Sequence, residues 1–416
     1  MRKVFVAGGA HTKYIGKFHP DFVWKGHPEF GKRENPDLEW YIKEAALGAL
    51  AATHAAAVAV DKAFVGNFAG ELFDNQGHAG ALLAGADPDL GGKPIARVEG
   101  ACASGGLAVA CGVDAIRAGA EVVLVVGAEI QTTQNAKVGA DYLARAAHYK
   151  TQRAIDPFTF PCLFARRAKA VMAETETTME DCARTAVKAY ANANRNSFAH
   201  MHTVKMGLAQ ANTASDANPL FISNPEYKEY LRVSDCSQVS DGGSALLLCS
   251  EEGLKRIGRK AADCAELLAC EVATASLRAE PPPLRMENTA AAAARAYAAA
   301  GVKPHQVQVA EVHDCFTITE LLMYEALGFA EQGKGARLVR EGKTELGGTL
   351  PVNTGGGLVA FGHPVGATGI KQVLELYRQM KGQCGDYQLK TAPTLGLSAN
   401  MGGDDRTAVV CVLRNV

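Results

Sequence analysis

The sequence predicts an α/β protein with a largely parallel sheet, made of two halves of like pattern with an insertion between them. Three observations predict it. Strand-like apolar runs alternate with helix-like segments over residues 1–130. The alternation stops from Gln131 to about Tyr230. It then restarts, and the strand–helix–strand–helix–strand order appears a second time.

The elements follow in order. Lys3 to Ala7 reads as a strand and Leu38 to Ala57 as an Ala- and Leu-rich helix. Lys62 to Phe68 is a second strand, Gln76 to Leu83 a short helix, and Pro94 to Val98 a third strand. A small-residue helix from Leu107 to Ala118 precedes Val122 to Ala128, an apolar run of the kind buried on both faces. Between the first strand and the first helix, His11 to Asp37 is an ordered excursion. Its aromatics Tyr14, Phe18, Phe22, Trp24 and Phe30 are expected to pack on the body.

In the insertion, Thr178 to Asn194 reads as a helix, capped by Thr178 with Glu180 and Asp181 in its first turn. Ser244 to Ser250 is a buried strand, and Ala265 to Thr274 a long one. Thr289 to Ala300 is a helix, Val307 to Val312 a strand, and Thr317 to Leu327 and Gly366 to Met380 are helices. Thr407 to Leu413 is the last strand. The divisions are therefore 1–130, completed by the strand near 244–250, a loop domain at 131–230, and 251–416.

Composition narrows the class. The chain has 416 residues, 48% hydrophobic and 21% charged, with net charge −1. That balance implies no bulk attraction to nucleic acid or membrane. No apolar stretch is long enough to span a membrane. Eleven cysteines with no CxxC pair imply free thiols in a reducing, intracellular compartment. The organelle is not specified: mitochondrial or peroxisomal matrix and cytoplasm all fit. The opening residues run straight into a strand with no signal-peptide pattern.

Chemistry concentrates in a few stretches. Gly100-Ala101-Cys102-Ala103-Ser104-Gly105-Gly106 joins a strand to a helix. A cysteine at a helix N-terminus meets unpaired N–H groups and the positive end of the dipole, which favour the thiolate. Its bland alternative is a small buried apolar residue. In the second half, Gly362-His363-Pro364-Val365-Gly366-Ala367-Thr368-Gly369 also sets a reactive residue before a Gly-spaced helix. Glu311-Val312-His313-Asp314-Cys315-Phe316 ends a strand, and Ser398-Ala399-Asn400-Met401-Gly402-Gly403-Asp404 lies between two others. No metal-ligand spacing appears, since His313, Cys315 and His363 lack a fourth partner. The nucleophile-elbow glycine pattern of a serine hydrolase is missing around Ser104.

Taken together, Cys102-Ala103-Ser104, Ser240-Asp241-Gly242 and Gly362-His363-Pro364 resemble the thiolase superfamily in order and spacing. Most thiolases have Asn-Glu-Ala-Phe where this chain has His313-Asp314-Cys315-Phe316. They also carry a Cys-x-Gly loop where it has Asn400-Met401-Gly402. Both departures resemble the sterol-carrier-protein-type thiolases. The stretch from Lys13 to Phe22 is similar to thiolase-like proteins of that type in trypanosomatids.

The resemblance implies a thiolase fold of two similar βαβαβαββ halves in five layers (αβαβα), a loop domain on top, and a homodimer. The lipid-carrier domain is expected to be absent. The resemblance also implies thiolytic cleavage of 3-oxoacyl-CoA, or the reverse Claisen condensation, in lipid metabolism such as fatty acid β-oxidation. Cys102 would be the nucleophile, His363 its base, and Cys315 the acid/base that replaces the missing terminal cysteine. His313 and His363 would hold the enolate oxygen, and the N–H groups of Cys102 and Gly402 the tetrahedral oxyanion. Ser237 would touch the pantetheine arm. The basic residues of the insertion, Lys150, Arg153, Arg166, Arg167, Lys169, Lys188, Arg195 and Lys205, would as a group meet CoA phosphates. Acyl-CoA and CoA are the partners, with no metal and no separate cofactor.

Two competing functions stay open on the sequence. A Cys102–His313–His363 set also serves acyltransferases and decarboxylating condensing enzymes, which have no need of Cys315. A non-catalytic CoA-binding subunit would keep the fold without the intact Cys–His–Cys set.

Overall fold

Alternate residues of the central strands enter two different cores. A computed structural model describes residues 2–416. Its first half comprises β1 (Phe5–His11), α1 (Leu38–Thr53), β2 (Lys62–Gly66), α2 (Gly70–Phe73), α3 (Ala79–Ala84), β3 (Ile95–Val98), α4 (Ser104–Arg117) and β4 (Val122–Glu129). Helices α5 (Ala136–Leu143), α6 (Tyr149–Gln152), α7 (Thr159–Glu174), α8 (Met179–Ala193) and α9 (Leu208–Asn212) fill the insertion. Then come β5 (Gly242–Cys249), α10 (Glu251–Arg256), β6 (Ala265–Thr274), α11 (Glu287–Ala300) and β7 (Val309–Val312). The chain finishes with α12 (Thr317–Ala326), α13 (Gly335–Arg340), α14 (Thr368–Met380), β8 (Leu395–Gly402) and β9 (Thr407–Asn415).

The nine strands among the described residues form one sheet in the order β3-β2-β4-β5-β1-β6-β9-β8-β7. It mirrors itself about the short antiparallel β1–β6 pairing of Phe5 with Glu266 and Val6 with Ala265. On each side two antiparallel pairings lie next to the centre and a parallel pairing outside them. Even the outer strand β3 has a counterpart, because Val352 bridges in parallel to Ala310 of β7.

All eight residues of β4 are buried. Leu124 and Val126 pack toward α1 and α3, while Val123 and Val125 pack toward α4 and α14. Strand β9 does the same in the second half: Val410 and Val412 face the α11–α12 core, and Val409 and Cys411 face α4 and α14. Period-two alternation with both faces apolar is what a doubly covered strand requires. Helices α4 and α14 are thus the middle of five layers, as expected. Every residue of α14 from Thr368 to Tyr377 is buried. Glycine permits their close crossing, since a Cβ on Gly105 would lie 2.7 Å from the Gly366 carbonyl oxygen.

The cap of α8 is the expected one, with Thr178 and Asp181 closing a reciprocal capping box. Three expectations need correction. The sheet is not largely parallel, since five of the eight strand pairings among the described residues are antiparallel. Only Tyr14 and Phe22 of the N-terminal excursion are buried, whereas Phe18, Trp24 and Phe30 stay exposed. Arg167 and Lys188 hold no phosphate. Arg167 is 1% exposed, pairs with Asp404 at 2.5 Å and donates to the carbonyls of Pro282, Pro283 and Arg285. Lys188 is buried against Glu320 and Tyr324. A buried cation persists only with such partners.

Candidate active site

Cys102 sits in a single 3-10 turn, Ala101–Ala103, just ahead of α4. Ala101 takes a left-handed conformation, φ 54°. That is strained for alanine and lifts the next residue out of the strand-to-helix path. Ser104 holds the turn: its hydroxyl donates to Ala101 O at 2.6 Å and accepts from Gly100 N at 3.0 Å.

The turn points into a cavity of about 550 Å³. His363, Cys315 and Ser237 also line it. One ring nitrogen each of His313 and His363 lies with the Cys102 sulfur inside a 4.8 Å cluster. The two rings meet edge to face at 5.2 Å. Three such donors are also a ligand set that a transition metal could use.

The hydrogen bonds assign the two rings opposite tautomers. Thr368 Oγ1 donates to Pro364 O at 3.2 Å, so at 2.6 Å from His363 Nδ1 it accepts the ring proton. The Nε2 of His363 is then a bare lone pair, with no partner among the described residues. His313 is reversed. Its Nδ1 accepts from Met401 N at 3.3 Å and from the Asn400 amide at 3.2 Å, leaving the proton on Nε2, which likewise meets no partner among the described residues. One ring can take a proton while the other offers one.

Burial keeps both rings neutral. It lowers the His363 pKa to about 3, helped by the positive charge of Lys371 on α14. It drives His313 well below its ordinary value, with His363 adding to the effect. Burial also pushes the Cys102 thiol up to about 12, against the opposing N–H groups of Gly403 and of Cys102 itself. These two N–H groups favour the thiolate but lose to desolvation. Burial and the neighbouring Cys102 raise the Cys315 thiol well above its usual range.

Asn400 stands where most of the family carry a cysteine. Its amide nitrogen donates to Cys102 O at 3.0 Å, and its oxygen accepts from Gly106 N at 3.1 Å. It therefore ties the nucleophile turn to His313. Gly402 is expected to hold the tetrahedral oxyanion. It lies in β8, packed so closely on Gly100 that a Cβ would sit 2.1 Å from that carbonyl oxygen. The N–H that reaches the Cys102 sulfur belongs to Gly403.

Sequence reasoning also missed the braces behind the site. Glu129 accepts from Phe68 N at 2.8 Å, Ala69 N at 3.0 Å, Asn67 at 2.8 Å and Gly366 N at 3.1 Å, fastening the His363 loop to the first half. Asp241 accepts from Gln131 N at 2.6 Å, and the Gln131 amide donates to His363 O at 2.7 Å. The Ser240-Asp241-Gly242 motif is the one signal that pointed there. Ser237 N donates to Cys315 O at 2.9 Å, which fixes that wall of the cavity beside the second thiol.

Comparisons with known proteins place the chain in a family. Residues 31–252 match the model for the thiolase N-terminal domain, and residues 269–415 the model for the thiolase C-terminal domain-like family. The acetyl-CoA acetyltransferase of Methanothermobacter thermautotrophicus is 34% identical over 414 residues, covering 99% of each chain. Rabbit (Oryctolagus cuniculus) sterol carrier protein 2 is 32% identical over 96% of this chain and 70% of that protein. The solved Ltp2-ChsH2(DUF35) aldolase superposes with TM-score 0.76 at 22% identity, covering 99% of this chain and 98% of that one. The chain belongs to the thiolase superfamily. Within it the chain is of the sterol-carrier-protein type, and it is a thiolase-type acyltransferase, a family whose substrates are acyl-CoA and CoA. Among the described residues no helix is long and apolar enough to cross a membrane.

Proposed function

We propose that this chain is a 3-oxoacyl-CoA thiolase, acting through an acyl-enzyme on Cys102. The observation that carries the proposal is the pair of opposed histidine tautomers at one thiol, with a second thiol lining the same cavity. His363 Nε2 takes the Cys102 proton as the sulfur attacks the 3-oxo carbon. The N–H groups of Cys102 and Gly403 hold the resulting oxyanion, each such donor being worth about 3–4 kcal/mol. The bond between the 3-oxo carbon and its alpha carbon then breaks, leaving the acyl group on sulfur and the acetyl-CoA enolate. His313 Nε2–H donates to the enolate oxygen, and Cys315 protonates its carbon. A second CoA gives its thiol proton to the Cys315 thiolate as its sulfur attacks the acyl carbon; the carbon–Cys102 sulfur bond breaks, Cys102 takes back the proton held by His363, and the shortened acyl-CoA leaves. Coenzyme A is substrate throughout, and no metal takes part.

Cys315 distinguishes this reading from a decarboxylating condensing enzyme, which needs only the Cys102–His313–His363 set. As part of the same proposal, the protein works as a homodimer in lipid metabolism inside a reducing compartment. The eleven free thiols support that compartment. The test is CoA-dependent cleavage of acetoacetyl-CoA and of longer 3-oxoacyl-CoA esters by the purified protein. Turnover yielding acetyl-CoA is expected. Acyl exchange without carbon–carbon cleavage would contradict the proposal.

A further inference from the structure

The cavity at Cys102 is walled by rings. Phe18 and Phe22 come from the N-terminal excursion, and Phe68 and Phe73 from the segment after β2. Others come from the insertion and from Phe316, the residue that follows Cys315. The large aliphatic liners are few: Leu143, Val233, Val239 and Val365. Such walls bury any apolar chain, but they offer a ring contacts that a straight chain cannot make. Ring faces and edges reward another ring, because their quadrupoles favour offset-stacked and edge-to-face contacts. A ring-bearing group also surrenders less rotational freedom on binding than a flexible chain.

These walls are held in place before any ligand arrives. Phe164 stacks on Phe316 at 4.6 Å, Phe158 meets Phe221 edge to face at 5.2 Å, and Phe73 meets Tyr142 the same way at 5.2 Å. The outermost liner is the least expected. Phe18 is 58% exposed and sits at φ 81°, a conformation that a phenylalanine keeps only where its surroundings impose it. The surroundings do so. Ile15 and Asp241 exchange backbone hydrogen bonds at 3.0 and 2.8 Å, His19 N donates to Gly16 O at 3.0 Å, and the His200 ring donates to Lys17 O at 2.8 Å. The backbone that carries this exposed ring is thus held beside the cavity that the ring lines.

We propose that the substrate's acyl group carries an aromatic ring, and that Phe18 and Phe68 are specificity-determining residues that contact it. Phe18 and Phe68 line the same cavity as Cys102 and His363. The inference rests on the thiolase activity proposed above and adds the class of acyl chain.

The test compares thiolysis of 3-oxo-5-phenylpentanoyl-CoA and 3-oxodecanoyl-CoA, with acetoacetyl-CoA as the measure of the chemistry alone. The phenyl substrate is expected to have a kcat/KM about tenfold higher than the straight-chain one, the size of effect that two ring contacts give. In Phe18→Ala, and separately in Phe68→Ala, that ratio is expected to fall several-fold. Circular dichroism checks that both variants are folded. Cleavage of acetoacetyl-CoA with no preference for the phenyl substrate overturns the inference alone. So does a loss that is equal for both long substrates in both variants. Failure to cleave any of the three, acetoacetyl-CoA included, overturns the thiolase proposal and this inference with it.

Discussion

Burial pushes the Cys102 thiol up in the free protein, and its reactivity toward an alkylating agent tests that direction. Burial disfavours the charged form, so it raises the pKa of an acid, here to about 12. At pH 7 the thiolate is then about one part in 10⁵, roughly a thousandfold scarcer than for a thiol of ordinary pKa. The neutral His363, held down at about 3, cannot supply a compensating imidazolium near neutrality. Alkylation of Cys102 by iodoacetamide, followed residue by residue by mass spectrometry, is therefore expected to rise about tenfold per pH unit from about pH 6 to about pH 10 without levelling. At pH 7 it should lag a small free thiol by about three orders of magnitude, corrected for access. A plateau reached below neutral pH would reveal a preformed thiolate–imidazolium pair. That result would refute both the neutral tautomer assigned to His363 and the coupling of proton transfer to attack.

Other outcomes follow from particular contacts. Cys315→Ala should still accept an acyl group on Cys102, while exchange of the alpha protons of acetyl-CoA falls about 100- to 10,000-fold, as loss of an acid/base group does; exchange at the wild-type rate would make Cys315 a packing residue. Thr368→Val strands the His363 Nδ1–H in a buried place, a loss of about 1–3 kcal/mol, so kcat should drop about ten- to a hundredfold with KM little changed. Arg167→Ala leaves Asp404 buried without its cation and should cost about 3–5 kcal/mol, read from the urea midpoint.

Much of the fold was legible because local pattern and tertiary role agree. The runs at Val122–Ala128 and Ser244–Ser250 are apolar on both faces, and their strands are buried on both faces. Strand β8 was not legible. Leu-Gly-Leu-Ser-Ala-Asn-Met-Gly has weak strand propensity, and its place is fixed by pairing with β7 and β9. Helix α7 was hidden by Pro161 and three basic residues. The proline is tolerated in the first turn, where its N–H would be unpaired, and Arg167 turns inward to a partner in another part of the chain. In the site, motif spacing located Cys102, His313, Cys315 and His363. The supporting residues Thr368, Asn400, Glu129 and Gly403 depend on contacts between distant segments, which no local spacing encodes. The acidity of Cys102 could not be read either, since helix position and burial act in opposite directions and only the structure gives the burial.

The most direct measurement of the central claim is the intact mass of the protein after brief mixing with an acyl-CoA, followed by peptide mapping. Wild type should gain the mass of one acyl group on Cys102, and CoA should remove it. Cys102→Ala should gain none while remaining folded, since the small-residue turn loses only one sulfur atom. An acyl group found on another residue, or retained by Cys102→Ala together with normal thiolysis, would contradict the assignment of Cys102 as the nucleophile.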